Sequence, residues 1–314
     1  MMVLAFAVFA AVVFWLTVYG LFWYIFCHPV RKRPDAHRIP ESTLYKKYRG
    51  IMQEGVAETE KLPAEDVSIV AFDGCRLCGK LYIFKENAPL LIFFHGYHGV
   101  PAWDGFGFFK ICKRHGINIL MADERAHGKS GGRYITFGIR ERYDCKQWAD
   151  YAAERFGEEK DIVLAGVSMG AASVMMSSEL GLPKNVKALV SDCGYSEPAA
   201  IIKETVRKMG LPVKPVYVLI RLGTRVFGRF DLEEATALGA VRKLHIPILF
   251  IHGKQDSVVS LTMSDELYEA CAGTKERALI ESADHANSAM TDFSAYESAV
   301  LKFLYLNIAI DEIP

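Results

Sequence analysis

A series of short, nearly continuous apolar runs is the feature that most restricts how this chain can fold. The runs alternate with longer amphipathic segments. Strands buried on both faces of a parallel sheet have this composition, and the intervening segments suit crossover helices. The runs span residues 89–95, 117–123, 161–167, 186–192, 246–252 and 277–283. This alternation predicts an α/β fold with a mainly parallel sheet and helices on both faces.

Two further strands are expected before this series. Residues 66–72 and 78–84 flank Asp73-Gly74, which is a good turn signal, so they should form an antiparallel hairpin. The predicted sheet therefore has eight strands. The helices are expected at residues 105–115, 138–156, 169–180, 260–272 and 290–308.

The interval from 193 to 245 is longer than a single crossover needs. It carries two amphipathic pieces separated by Pro212 and Pro215. Open α/β sheets have their binding sites at the carboxyl ends of the strands. We therefore predict a helical lid inserted over that edge, the alternative being a surface helical hairpin with no role in binding.

The first 26 residues contain no charged side chain. At about 1.5 Å per residue, a helix of this length can cross the roughly 30 Å hydrocarbon core of a bilayer. Trp15, Tyr19, Trp23 and Tyr24 gather towards its end, as in an interfacial aromatic belt. We predict a transmembrane helix over residues 1–27. A cleaved signal peptide is the alternative, although its basic n-region and small-residue cleavage site are not visible.

Residues 28–62 are expected to form a basic juxtamembrane connector, followed by a globular domain over 63–314. No basic side chain precedes the apolar segment, whereas several follow it closely. The positive-inside rule therefore predicts a single-pass protein whose globular domain is cytoplasmic. Seven cysteines without regular spacing agree with a reducing compartment. The basic residues after the segment are Arg31, Lys32, Arg33, Arg38, Lys46, Lys47 and Arg49.

The pentapeptide GVSMG sets Ser168 between Gly166 and Gly170, after a predicted strand and before a predicted helix. A nucleophile elbow requires this context, because its sharp turn strains the serine backbone and leaves no room for bulky neighbours. The start of the following helix also directs backbone N–H groups towards developing negative charge. A helix N-cap serine without a catalytic role is the alternative.

A serine hydroxyl becomes a nucleophile only when a base takes its proton and an acid holds that base. Asp256 follows the run 246–252, and His285 follows the run 277–283. The order serine, acid, histidine is that of the α/β-hydrolases. We predict Ser168 as nucleophile, His285 as general base and Asp256 as the acid, with Asp192 as the alternative acid.

The segment HGYHG at residues 95–99 follows the third predicted strand, and its glycines let the backbone bend. The main-chain N–H groups of Tyr97 and Met169 are the predicted oxyanion hole. His95 is expected to be a structural hydrogen-bonding residue in this turn.

On these motifs, residues 64–308 resemble the α/β-hydrolase superfamily: HGYHG, DERAHGKSGG, GVSMG, IHGKQD and DHANS follow its order and spacing. Within it the chain looks like membrane-anchored bacterial hydrolases of the serine-aminopeptidase-like or lysophospholipase-like branch. The resemblance implies a serine hydrolase, most often an esterase, lipase, thioesterase or peptidase, with a compact lid.

We therefore expect cleavage of a carboxylic ester or thioester with an apolar acyl group, through an acyl-enzyme and without a cofactor or metal. The expected partners are a small acyl substrate and the membrane lipid around the N-terminal helix. Basic and acidic residues number 37 each, so nothing favours nucleic acid, and no feature indicates an oligomeric state. The alternatives are a catalytically silent membrane-bound interaction protein and a serine peptidase. A peptidase is expected to carry a lid acid, for which the residues available are Glu197, Glu204, Glu233 and Glu234.

Overall fold

One eight-stranded sheet organises the part of the chain described by this computed structural model, residues 1–27, 35–39, 41 and 43–309. Its strands are β1 (Glu65–Val70), β2 (Arg76–Tyr82), β3 (Leu90–Phe94), β4 (Asn118–Asp123), β5 (Ile162–Val167), β6 (Val186–Asp192), β7 (Ile248–Gly253) and β8 (Lys275–Ile280). Their spatial order is β1-β2-β4-β3-β5-β6-β7-β8. The pairs β1–β2 and β2–β4 are antiparallel and the other pairs are parallel. The predicted α/β fold is confirmed.

The helices pack against both faces of this sheet and over one of its edges. In chain order they are α1 (Met2–Phe26), α2 (Thr43–Lys46), α3 (Arg49–Lys61), α4 (Pro101–Asp104), α5 (Phe106–His115), α6 (Glu141–Phe156), α7 (Met169–Ser177), α8 (Pro198–Lys208), α9 (Val213–Gly223), α10 (Ala237–Val241), α11 (Leu261–Ala270), α12 (Ser288–Thr291) and α13 (Phe293–Asn307).

The central strands are apolar at every position because both of their faces are covered. In β3, the sequence LLIFF is completely buried. Side chains alternate across a strand, so Ile92 and Phe94 pack into the core that contains α6 and α7. Leu91 and Phe93 pack into the opposite core, with α5 and α13. A strand buried on one face only would alternate apolar with polar residues instead.

The interval from 193 to 245 is helical, as its amphipathic pieces predict. It contains α8, α9, a π-helical segment (Thr224–Gly228) and α10. Proline is the first residue of α8, where its missing N–H costs no intrahelical hydrogen bond. Pro212 precedes α9 and separates it from α8. Both helices bury one apolar face, and these faces form a roof over the sheet edge.

Helix α1 is docked on the lid through its C-terminal half. Val18, Phe22 and Phe26, four residues apart and therefore on one face, are buried, whereas residues 1–17 are exposed. The Ile135 N–H donates a hydrogen bond to the Phe26 carbonyl at 2.8 Å. The bounds of α1 agree with the apolar segment in the sequence, but its last turns pack as part of the globular domain.

The predicted connector, residues 28–62, packs on the domain through α3 and a few buried residues before it. In α3, Met52 and Val56 are buried against Trp103 of α4. The Trp103 indole N–H also donates to the Ala36 carbonyl at 2.7 Å. These apolar positions recur at helical spacing, which explains why α3 adheres to the domain. The basic residues Arg31, Lys32 and Arg33 lie outside the described residues.

Candidate active site

Ser168 occupies a strained turn between β5 and α7. Its backbone has φ 54° and ψ −111°, a left-handed conformation that is costly for a residue with a side chain. A Cβ at Gly166 would lie 2.3 Å from the Gly170 carbonyl carbon, and a Cβ at Gly170 would lie 2.2 Å from the Phe94 carbonyl oxygen. The two glycines of the motif are therefore required by close backbone packing, which holds the serine at the sheet edge.

The structure brings Ser168, His285 and Asp256 together although they are far apart in the chain. The Ser168 Oγ lies 2.9 Å from His285 Nε2. The His285 Nδ1 lies 2.8 Å from Asp256 Oδ2. Both contacts are at hydrogen-bond distance, and all three side chains are largely buried. This is the geometry that a nucleophile, its base and an orienting acid require.

Asp256 also contacts His252 Nε2, which lies 3.4 Å from Oδ2, and two backbone N–H groups. Asp256 Oδ1 accepts hydrogen bonds from the N–H groups of Val258 at 2.8 Å and Val259 at 2.7 Å. An ionised carboxylate can only accept hydrogen bonds, so the contact with Oδ2 assigns the proton to His285 Nδ1. The unprotonated Nε2 is left to accept the Ser168 hydroxyl proton.

Asp192, the alternative acid, has different partners. Its Oδ1 accepts from the Ser288 hydroxyl at 3.3 Å, and its carboxyl group also bonds the Tyr296 hydroxyl. Burial raises the pKa of Asp192 to about 7, against the opposing effect of these bonds. The carboxylate that contacts His285 Nδ1 is that of Asp256.

Asp284 is a positioning residue that the sequence reasoning overlooked. Its Oδ1 accepts the N–H and hydroxyl of Ser257, both at 2.8 Å, and the N–H of His285 at 2.7 Å. Burial favours a higher pKa for this carboxyl, but these hydrogen bonds hold the pKa below its usual value. Asp284 thereby ties the loop of the acid to the loop of the base. An acid directly before the histidine was the available signal.

The turn at residues 95–99 is held on both sides of Tyr97. The Gly96 N–H donates to Asp104 Oδ2 at 2.8 Å, and the His98 N–H donates to His127 Nε2 at 3.1 Å. Burial raises the pKa of Asp104 to about 6. Asp104 was not singled out in the sequence, because an isolated acid has no recognisable pattern.

His95 supports the same turn from inside the core. Its Nδ1 lies 2.8 Å from the Gly96 carbonyl, and its Nε2 accepts the Glu124 N–H at 3.0 Å. It thus has the structural role expected of it. The oxyanion hole formed by the Tyr97 and Met169 amides stays a prediction. Its support is that Met169 is the first residue of α7, where N–H groups lack intrahelical acceptors.

A cavity of about 540 Å³ lies above Ser168 and His285. This volume is in the range of small-molecule sites. Its walls are mainly apolar and come from the lid, from α1 and from the turn at residues 96–98, and Asp104 contributes a carboxyl group. The apolar lining includes Leu21, Ile25, Ile202, Val206, Val216 and Ile220.

The four lid acids considered for a peptidase lie elsewhere among the described residues. None of them lines this cavity. Glu197 lines a different cavity, beside Glu266 and Glu269. The other three form ion pairs: Glu204 with Lys208, Glu233 with Arg221, and Glu234 with Arg142.

One group among the described residues has the ligand types of a metal site. The side-chain ligand atoms of Cys193, Asp256 and His285 lie within 4.8 Å of one another. His285 already contacts Asp256 through Nδ1 and Ser168 through Nε2, so both of its ring nitrogens are occupied. The expectation of chemistry without a cofactor stays a prediction.

Comparison with known proteins agrees with this geometry. A family model described as serine hydrolase (FSH1) matches residues 164–286, the segment that runs from β5 to the histidine loop. The uncharacterized protein YqkD of Bacillus subtilis is 26% identical over 190 residues, 60% of this chain and 62% of YqkD. The chain thus matches slightly less than two thirds of that relative. The thiohydrolase aneE of Aspergillus aculeatus is 25% identical over 146 residues, 45% of this chain and 44% of aneE.

A solved structure supports the fold. An esterase from Pyrococcus furiosus superposes with a TM-score of 0.63 at 24% sequence identity, covering 80% of this chain and 94% of the esterase. The sheet topology and the serine turn agree with the match of residues 164–286 to a serine hydrolase family. The chain has the α/β-hydrolase fold of this neighbour. The narrower branch expected from the sequence stays a prediction.

Proposed function

We propose that this chain is a membrane-attached esterase or thioesterase that acts on substrates with an apolar acyl group. The observation that carries the proposal is the Ser168–His285–Asp256 arrangement at the floor of an apolar cavity. A polar reactive end and an apolar pocket together suit the carbonyl and the chain of an acyl substrate.

The reaction follows from the contacts of the three side chains. His285 Nε2 takes the hydroxyl proton as Ser168 Oγ attacks the carbonyl carbon, and Asp256 stabilises the resulting imidazolium. The amides of Tyr97 and Met169 receive the negative oxygen. The leaving alcohol or thiol takes the proton from His285. Water, deprotonated by the same nitrogen, then attacks the acyl-enzyme and releases the carboxylic acid.

Two observations favour an ester or thioester over a peptide substrate. The relative aneE is named a thiohydrolase, and the fold neighbour from Pyrococcus furiosus is an esterase. The lid acids that could bind a substrate amino group are directed into ion pairs or another cavity. A peptidase of the aminopeptidase type needs such an acid in its pocket, and the carboxyl group that lines this cavity, that of Asp104, already accepts the Gly96 N–H.

The decisive test is the loss of activity in Ser168→Ala. With purified full-length protein in detergent, we expect the substitution to lower kcat for p-nitrophenyl esters by roughly 10³-fold or more. A fluorophosphonate probe should label the parent protein and leave the variant unlabelled. Unchanged ester turnover in the variant would reject Ser168 as the nucleophile, and a parent protein that no probe labels would favour the silent interaction protein. Faster cleavage of aminoacyl amides than of esters would favour the peptidase.

Membrane attachment is the second part of the proposal. Helix α1 is long and apolar enough to cross a bilayer, and its first half is exposed, for example Phe6 at 73% and Phe9 at 66%. The basic residues that follow it support a cytoplasmic globular domain. Intact mass of the protein from membranes should include residues 1–27, whereas a cleaved signal peptide would remove them.

Orientation is tested with an added surface cysteine. Glu158→Cys adds a thiol at an exposed position of the globular domain. In intact cells an impermeant maleimide should leave this thiol unmodified, and the same reagent should modify it after lysis. Labelling in intact cells would reverse the proposed orientation.

A further inference from the structure

Helix α1 ends against the reactive centre as well as against the lid. The Tyr97 hydroxyl donates a hydrogen bond to the Ile25 carbonyl at 2.8 Å. Carbonyls in the last turn of a helix lack intrahelical partners, so this bond satisfies a group that would otherwise stay unpaired. Tyr97 is also the residue whose amide is predicted to bind the oxyanion. The end of α1 is thereby linked directly to the oxyanion turn.

Glycines in the lid let α1 approach closely. A Cβ at Gly223 would lie 2.9 Å from Phe22 Cβ, and a Cβ at Gly228 would lie 2.9 Å from Phe22 Cε2. Phe227 of the lid makes edge contacts with Trp15 and Tyr19, at ring-centroid distances of 6.2 and 5.1 Å. A flexible membrane tether would not need such close packing between α1 and the lid.

Leu21 and Ile25 lie on the side of α1 that faces the cavity above Ser168. They are one helical turn apart, so they form a continuous apolar strip along the wall. The lid contributes Ile202, Val206 and Ile220 to the lining of the same cavity. Without α1, this side of the cavity would open to its surroundings.

We propose that α1 is a wall of the acyl-binding pocket and that Leu21 and Ile25 determine which acyl chain lengths are accepted. The membrane segment then contributes to substrate selection in addition to attachment. This inference rests on the proposed hydrolase function for its substrate class, and on the geometry alone for the wall itself.

The test compares tryptophan at two positions of α1 in the full-length protein. Leu21→Trp fills the pocket side, and Leu16→Trp adds the same bulk at a position that is 63% exposed. The readout is the ratio of kcat/KM for p-nitrophenyl laurate to that for p-nitrophenyl acetate. We expect Leu21→Trp to lower this ratio roughly tenfold or more, because hydrophobic pockets discriminate on this scale. Leu16→Trp should leave the ratio within about twofold of the parent value.

Leu21→Ala tests the same wall in the opposite direction and avoids overpacking. It removes volume from the wall, so the preferred chain should become longer. Equal ratios for the parent, Leu21→Trp and Leu21→Ala would overturn the proposal. A lower ratio in Leu16→Trp matching that of Leu21→Trp would also overturn it, since the effect would then come from bulk in the helix and not from the pocket.

A photolabelling experiment separates failure of this proposal from failure of the hydrolase function. In the Ser168→Ala background, a dodecanoate with a terminal diazirine is photolysed, and labelled peptides from α8 are quantified. We expect Leu21→Trp to reduce labelling of α8 several-fold relative to Leu16→Trp. Equal labelling would reject the wall, whatever esters the parent hydrolyses. Reduced labelling together with no ester turnover would support the wall and reject the proposed reaction.

Discussion

The floor and the roof of the active site are built on different physical principles. The floor consists of polar side chains with fixed hydrogen bonds, as in the 2.9 Å contact between Ser168 and His285 and the 2.8 Å contact between His285 and Asp256. The roof consists mainly of apolar side chains from α1, α8 and α9, and the lid ion pairs of Asp231 with Arg221 and Arg225 are not part of the cavity lining. Directional contacts demand particular residues, whereas apolar contacts demand volume and shape. Substitutions in the floor should therefore abolish the reaction, and those in the roof should alter which substrate is chosen.

Replacing the acid should have the largest effect on the floor. Asp256→Asn can retain the fold but can present an N–H to His285, which favours the wrong tautomer. We expect kcat for a short ester to fall by about 10³- to 10⁴-fold. Asp192→Asn is the matched control, because Asp192 bonds Ser288 and Tyr296 instead. Its kcat should fall by less than about tenfold. The reverse ranking of the two variants would assign the acid to Asp192.

Disrupting the backbone packing at Gly170, next to the serine turn, should have the second largest effect. Gly170→Ala sets a Cβ 2.2 Å from the Phe94 carbonyl oxygen, and neither backbone can move without shifting the central strands. We expect a loss of about 3 kcal/mol or more in the free energy of unfolding. Gly50→Ala in α3 is the control, because a Cβ there meets nothing within 4 Å. Thermal unfolding should show a lower Tm for Gly170→Ala only; a normal Tm would mean that the turn is not tightly packed.

The floor can be predicted from the sequence because the residues that its motifs single out are the ones that contact one another. Each predicted strand lies within a few residues of an observed one, and Ser168, Asp256 and His285 each follow one of them. In a parallel sheet the carboxyl ends of the strands share an edge, so residues remote in sequence are expected to meet. The glycines of GVSMG permit the close backbone packing that holds Ser168 at this edge.

The roof is not predictable in this way. Leu21 and Ile25 lie in a segment that is apolar all round, so no amphipathic pattern distinguishes the pocket side from the exposed side. The docking of α1 depends on the close approach of Phe22 to Gly223 and Gly228. These residues are about 200 positions apart in the chain, so no local sequence pattern reveals the contact. Asp104 was likewise recognisable only from the structure, where it accepts the Gly96 N–H.

Asp192 offers a smaller effect, on stability. Burial raises its pKa from 3.8 to about 7 in the folded protein. The folded state then retains a proton that the unfolded state loses, so the stability that this group contributes is complete below about pH 4 and declines up to about pH 7. Asp192→Asn stays neutral and lacks this decline. The Tm difference between variant and parent should therefore increase in favour of the variant between pH 4 and 7; a constant difference would show an ordinary pKa.

The lid ion pairs of Asp231 should have the smallest effect. Asp231 accepts hydrogen bonds from Arg221 and Arg225, which lowers the pKa of its carboxyl, but these partners are partly or largely exposed. Water and salt screen such pairs, so Asp231→Asn should cost less than about 1 kcal/mol in unfolding free energy. If the lid acts mainly through its apolar face, kcat/KM for acetate and laurate esters should change by the same small factor. A selective loss for the laurate ester would instead show that these ion pairs also hold the lid in place over the acyl chain. Raising the salt concentration should then reproduce that loss in the parent protein.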